Sequence, residues 1–175
     1  MLCLFHDALK PVVNKAMQQT HYIIDGYSLL HRKHPGQLGN RAELNRFREA
    51  LIREIDQWLP AGNRATLVFD GQQFSRAAQS RSGEFHVVYT KANQSADAYI
   101  ERLCHEQATP DQFTVISNDR AVIELAAAAA CCTQSCGVFL DELARQVRSR
   151  VRKRKQVNQQ AKGPTLGDFF PDEPK

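Results

Sequence analysis

Five carboxylates stand where this chain passes from one kind of segment to the next. Asp25 ends the apolar run of "YIIDGYSLL", Asp70 ends "LVFDG", and Asp119 follows "VISND". Asp97 and Glu101 lie four residues apart in "YTKANQSADAYIE", a spacing that puts them on one face of a helix. One acid at the end of a strand caps a turn or a helix. Four segments that each deliver an acid to the same edge pose a different problem, because clustered carboxylates resist ionising together. A divalent cation relieves that conflict. Mg²⁺ and Mn²⁺ prefer oxygen ligands and keep several waters. Such an ion can activate a water and offset charge that builds on a phosphoryl group.

Each acid also has a plainer reading. Asp70 before Gly71 is a common turn pair, Asp97 and Asp119 suit the first turn of a helix, and Glu101 suits a solvated helix face. What decides between the readings is whether the intervening elements bring these residues to one rim. Short apolar runs at 22–25, 65–69, 85–89 and 113–116 predict strands, with 131–136 as a short fifth. Leu44, Phe47, Leu51, Ile55 and Leu59 recur at helical spacing, so 41–59 reads as an amphipathic helix closed by Pro60 and Gly62. Ser95 reads as the N-cap of a helix carrying Ala98, Ile100 and Leu103; further helices are expected over 121–130 and 138–150. The segments 31–40 and 72–83 read as loops. Alternating strands and helices predict an α/β fold with a mainly parallel sheet covered on both faces, whose site lies beyond the carboxyl ends of the strands.

The chain has 175 residues, enough for one domain with a sizeable core. We expect an appendage over 1–20, the α/β domain over 21–150, and a basic, flexible tail over 151–175. No apolar run reaches the roughly 18 residues of a membrane span, and the start is too short for a signal-peptide core, so a cytoplasmic protein without a membrane partner is expected. The five cysteines contain no CxxC pair, which argues against zinc and for small buried hydrophobes. Arg145, Arg148, Arg150, Arg152, Lys153, Arg154 and Lys155 add seven positive charges without an acid; taking those seven from the total of +4 leaves −3 for the remainder. A basic segment on a mildly acidic body suits a polyanion, nucleic acid above all. The alternative is a solvated helix face.

At "IIDGYSLL", "LVFDG", "VVYTKANQSADAYIE" and "VISNDRAV", in that order, the chain resembles the NYN-domain nucleases, and more narrowly the bacterial YacP-like branch of the PIN-like fold. The resemblance covers residues 22 to about 150 and is most specific in the long third piece. It implies a PIN-like three-layer α/β/α sandwich and a metal-dependent endoribonuclease. The acidic site would map onto Asp25, Asp97 and Asp119, with Asp70 and Glu101 nearby, holding Mg²⁺ or Mn²⁺. The family pattern usually reads Asp-Gly-Tyr-Asn, and here Ser28 replaces that Asn; a hydroxyl is shorter than an amide and offers fewer donors.

On this reading Thr90, Ser117 and Asn118 orient waters or substrate, Lys91 and Arg120 contact phosphate, and Arg152 and Arg154 extend the RNA surface. His31 and His34 follow the first strand within reach of the cleft, although ordinary loop histidines have the same placement. The competing class is a non-catalytic RNA- or ribosome-binding module on the same fold, which Ser28 favours. A small-phosphate hydrolase is a third reading, but Tyr27 stands where its second acid would be. Beyond the basic run, Leu166, Phe169 and Phe170 form an apolar group among Gly, Pro and acids, a candidate docking peptide for a protein partner.

Overall fold

The computed structural model describes residues 19–71, 84–91, 93–106 and 112–160. The chain runs β1 (His21–Asp25), α1 (Gly26–Lys33), α2 (Arg41–Trp58), β2 (Arg64–Phe69), β3 (Phe85–Tyr89), α3 (Ala96–His105), β4 (Phe113–Ile116), α4 (Arg120–Ala128), β5 (Cys132–Gln134) and α5 (Cys136–Gln160). The five strands form one sheet in the order β3-β2-β1-β4-β5, and every pairing is parallel. The chain builds outward from β1 to β3, then returns to the other side of β1 for β4. The topological switch therefore lies between β1 and β4, where parallel sheets open a crevice at their carboxyl ends.

Two cores sandwich the sheet because successive strand side chains point to opposite faces. Ile24, Leu67 and Phe69 face α1, α2 and α5, packing with Leu51, Ile55, Trp58 and Phe139. Ile23, Val68 and Val115 face α3 and α4, packing with Ile100, Cys104, Val122 and Ala126. This is the expected three-layer α/β/α sandwich, and it explains why the strands are apolar at consecutive positions. Cys104, Cys131 and Cys136 are buried free thiols, and burial pushes the Cys104 thiol up to about 12.

Several boundaries differ from the sequence reading; α4, expected to reach 130, closes at Ala128, and Ala130 already has a positive φ of 60°. The segment after β1 is helical at once: α1 occupies Gly26–Lys33, so His31 belongs to its last turn rather than to a loop. The fifth strand is confined to Cys132–Gln134. The final helix runs through Gln160, so positions 151–160, read as the start of a tail, continue α5. The residues beyond, including Leu166, Phe169 and Phe170, lie outside the described residues, as do 1–18.

Candidate active site

β1 delivers Asp25 to the switch point, and α1 begins on the next residue. The Asp25 carboxylate serves as N-cap: its Oδ1 accepts from the Ser28 amide at 3.0 Å. Its other oxygen, Oδ2, accepts from Ser117 Oγ at 2.9 Å across the switch. Ser117 is fully buried, and its Oγ in turn accepts from the Asp119 amide at 3.0 Å. Asp119 caps α4 by accepting from the Ala121 amide at 2.8 Å. A second stitch joins the same loops: the Asn118 amide donates to Ser28 Oγ at 2.8 Å, and Asn118 Oδ1 accepts from the Cys136 amide at 3.0 Å. Ser28 therefore holds the loop after β4 against the first turn of α1.

Gly26 makes this junction possible. A Cβ there would run into the Phe69 ring and stand 2.8 Å from the Val68 carbonyl oxygen. Phe69 precedes Asp70, whose Oδ1 accepts from Thr90 Oγ1 at 3.0 Å; the same hydroxyl accepts from the Gly71 amide at 3.2 Å. Thr90 thus locks the ends of β2 and β3 together from a buried position. Asp97 lies in the first turn of α3, which Ser95 caps as expected by accepting from the Ala98 amide at 3.1 Å.

Asp25, Asp70, Asp97 and Asp119 all line one open cleft of about 550 Å³, with Tyr27, Ser28, His31, Arg32, Ala96 and Asn118 completing its wall. The carboxylates feel one another. Partial burial raises the Asp97 carboxyl above the usual carboxylate range, and the charges of Asp25, Asp119 and Asp70 add to the rise. The N-termini of α1, α3 and α4 open toward the same cleft and offset part of this repulsion.

Not every expected residue reaches the wall. Glu101 is exposed one helical turn after Asp97, Lys91 is exposed beyond Thr90, and Arg120 turns to Glu124, with Nε 2.7 Å from its carboxylate. Thr90 and Ser117 act one step back, through Asp70 and Asp25. Arg152 is exposed on α5, far along the chain from the cleft loops, and the Arg154 side chain is outside the described residues. Sequence reasoning missed Tyr27 and Arg32. Both belong to α1, and recognising Asp25 as its N-cap would have placed positions 28, 31 and 32 on the cleft side.

The donor set suits a hard cation because it is all oxygen and over-supplied with negative charge. Among the described residues, no three His, Cys, Asp or Glu side chains lie close enough to hold an ion directly between them. This spacing fits an ion that keeps most of its water shell and touches one or two carboxylates, the habit of Mg²⁺.

Beneath the site lies an unusual buried cation. Arg48 of α2 is 2% exposed, with its guanidinium about 6 Å from the Tyr27 and Phe69 rings. It donates to Asn45 Oδ1 at 3.0 Å, while its Nε has no hydrogen-bond partner among the described residues.

Comparison with solved structures finds the same fold. Rae1 (YacP) from Bacillus subtilis matches with a TM-score of 0.61 at 23% identity, over 82% of this chain and 86% of that one. A tryptophan-to-leucine mutant of the same Bacillus subtilis protein matches with a TM-score of 0.64 at 22% identity, over 83% and 86%. No curated protein matches the chain. The model of the YacP-like NYN domain matches residues 22–173, a span that begins at the strand leading to Asp25 and takes in all four acids of the cleft. By that match the chain belongs to the YacP-like NYN domain family, whose members are generally nucleases acting on RNA.

Proposed function

We propose that this protein is a metal-dependent endoribonuclease that hydrolyses RNA phosphodiester bonds in the cleft between β1 and β4. The observation that carries the reading is the convergence of Asp25, Asp70, Asp97 and Asp119 on one cleft, where partial burial, and after it the charges of the other three, raise the Asp97 carboxyl. Asp25, Asp97 and Asp119 would hold Mg²⁺ or Mn²⁺, one or two of them directly and the rest through its water shell, with Asp70 adding negative charge on the wall and Glu101 one helical turn outside it. The ion, when bound, supplies a water of lowered pKa and charge compensation at the phosphate.

The chain's own groups do the positioning. Ser117 fixes one Asp25 oxygen and the Ser28 amide the other, so the carboxylate cannot rotate away. Arg32 and His31, on the cleft wall, contact the phosphate backbone of the bound RNA. Asn118 is held by Ser28 and Cys136, and it presents its loop to the substrate. Lys91, Arg120 and Arg152 add sequence-independent attraction from outside the wall, and Arg154 adds its charge to the same basic run. Ser28, the departure from the family pattern, keeps both loops joined, which supports the catalytic reading over a purely binding one.

Purified protein incubated with structured and unstructured RNA, with Mn²⁺, with Mg²⁺ or with chelator, tests this. Internal cleavage that needs the divalent ion and is lost in Asp25→Asn is the expected result. RNA that is bound but left intact under all conditions, with ribosomes added as a further arm, would establish the binding module instead.

A further inference from the structure

A second cavity of about 700 Å³ runs between α5 and the C-terminal ends of α1 and α2. Its floor is apolar: Leu140, Leu143, Ala144, Val147 and Val151 lie along one face of α5, opposite Trp58. The helix is anchored there because Gln146 Nε2 donates to the Trp58 carbonyl at 3.0 Å and Arg150 donates to the Gln57 carbonyl, both at the unsatisfied end of α2. The outer part of the floor is uncovered, with Val147 53% and Val151 52% exposed. The rim carries Lys33, Arg148 and Arg150, and beyond them Arg32, which also lines the acidic cleft, against a single acid, Glu54, which already pairs with Lys33. An apolar trough with a cationic rim fits an apolar segment that carries acids.

We propose that this groove is the seat of the chain's own C-terminal segment, residues 166–173, docked in cis. The segment supplies the complementary chemistry. Leu166, Phe169 and Phe170 are the apolar side chains, and Asp168, Asp172 and Glu173 are its charges, with no Lys or Arg from 163 to 174. The reach is sufficient. At about 1.5 Å of rise per residue, Val151 lies ~14 Å back along α5 from its last residue, Gln160. The nine residues from 160 to 169 span up to ~30 Å when extended. Gly163 and Pro164 follow Gln160 closely in the sequence, and that pair is compatible with a reversal of the chain. The family match also continues through residue 173, which makes this segment part of the domain's own pattern rather than an addition to it. Docking would remove Val147 and Val151 from water together with two aromatic rings. The docked segment is independent of the nuclease reading.

The test uses the full chain with the photo-crosslinker p-benzoylphenylalanine at position 169. Irradiation at low micromolar concentration should join position 169 to α5 between residues 140 and 151 of the same molecule, as mapped by peptide mass spectrometry. Val151→Asp should lower that yield at least five-fold, and Arg148→Glu at least two-fold. Both positions are exposed, so neither change is expected to unfold the protein, and circular dichroism checks this. Crosslinks between two molecules, crosslinks elsewhere on the domain, or a yield indifferent to both substitutions would overturn the proposal.

Discussion

The acidic cleft and the α5 groove are both open cavities of similar size, yet they are built in opposite ways. The cleft is made of strand ends and helix first turns, and its acids are fixed by short bonds to backbone amides and buried hydroxyls. The groove is made of helix sides, with aliphatic side chains below and long cationic side chains above. In the cleft, topology decides which groups meet, and like charges are forced together. In the groove, helical periodicity decides, and an uncovered apolar surface results. A site with built-in repulsion stores a demand for a counter-charge; a site with uncovered carbon stores a demand for another surface.

The contrast breaks most visibly at Asp97. Asp97→Asn should lower RNA cleavage by on the order of 10²-fold or more. It should also make the protein more stable at neutral pH in the absence of metal. The Asp97 carboxyl is held above its unfolded value of 3.8, so the fold loses stability as pH rises from there through the raised value. Removing the charge removes that loss. Thermal melts at low ionic strength measure it, and added Mg²⁺ should raise the melting temperature of the parent more than that of the variant. A variant less stable than its parent under those conditions would show that the cleft stores no repulsion.

A smaller effect is expected on the cationic side. Arg152→Glu combined with Arg154→Glu should weaken RNA binding several-fold at low salt. It should also flatten the salt dependence by roughly one unit of log-log slope for each phosphate no longer neutralised. Binding measured at three or more salt concentrations checks this, and an unchanged slope would assign these residues to solvent.

The smallest effect serves as a control from the other end of the sheet. His21, at the start of β1, pairs with Thr66 Oγ1 at 2.8 Å. Burial lowers its pKa from 6.5 to about 4, helped by the charges of Arg64 and His86. The unfolded chain therefore binds a proton that the fold refuses. Stability is full above pH 6.5, declines as pH falls toward about 4, and loses nothing further from this group below that. His21→Asn should flatten the melting-temperature profile across that window while leaving cleavage at neutral pH unchanged. An equally steep profile in the variant would assign the decline to other groups.

Most of the scaffold could be read from the chain because buried parallel strands leave a plain mark: 65–69 and 113–116 are apolar at every position or nearly so. Asp25 and Asp70 were legible for the same reason, as the first polar residues after their runs, and Asp119 as the first acid after its own. α1 was not, because its start signal is the same Asp25 that ends the strand, and one residue doing two jobs registers as one. Arg32 and Tyr27 were lost with it. The length of α5 was misjudged because a run of like charges resembles a tail. Between Val138 and Lys162, however, there is no Gly or Pro, and Arg, Lys and Gln are good helix formers, so nothing in that stretch stops the helix before Gln160. The groove could not be seen at all, since it needs parts of three helices that are distant in sequence.

Gly26 has a consequence for how this site could ever be adjusted. Its bare Cα is the seat on which the Phe69 ring rests, and the residues next to that junction are Asp25 on one strand and Asp70 just past the end of the other. Each acid is thus one residue away from the same close contact. A methyl added at 26 would push the ring, and the ring would carry Asp70 with it, against the stacked Tyr89 and the Arg48 guanidinium beyond. The path of the backbone out of β1, just past Asp25, is therefore set by the close seating of that ring, and substitutions at either acid alone leave that path where it is.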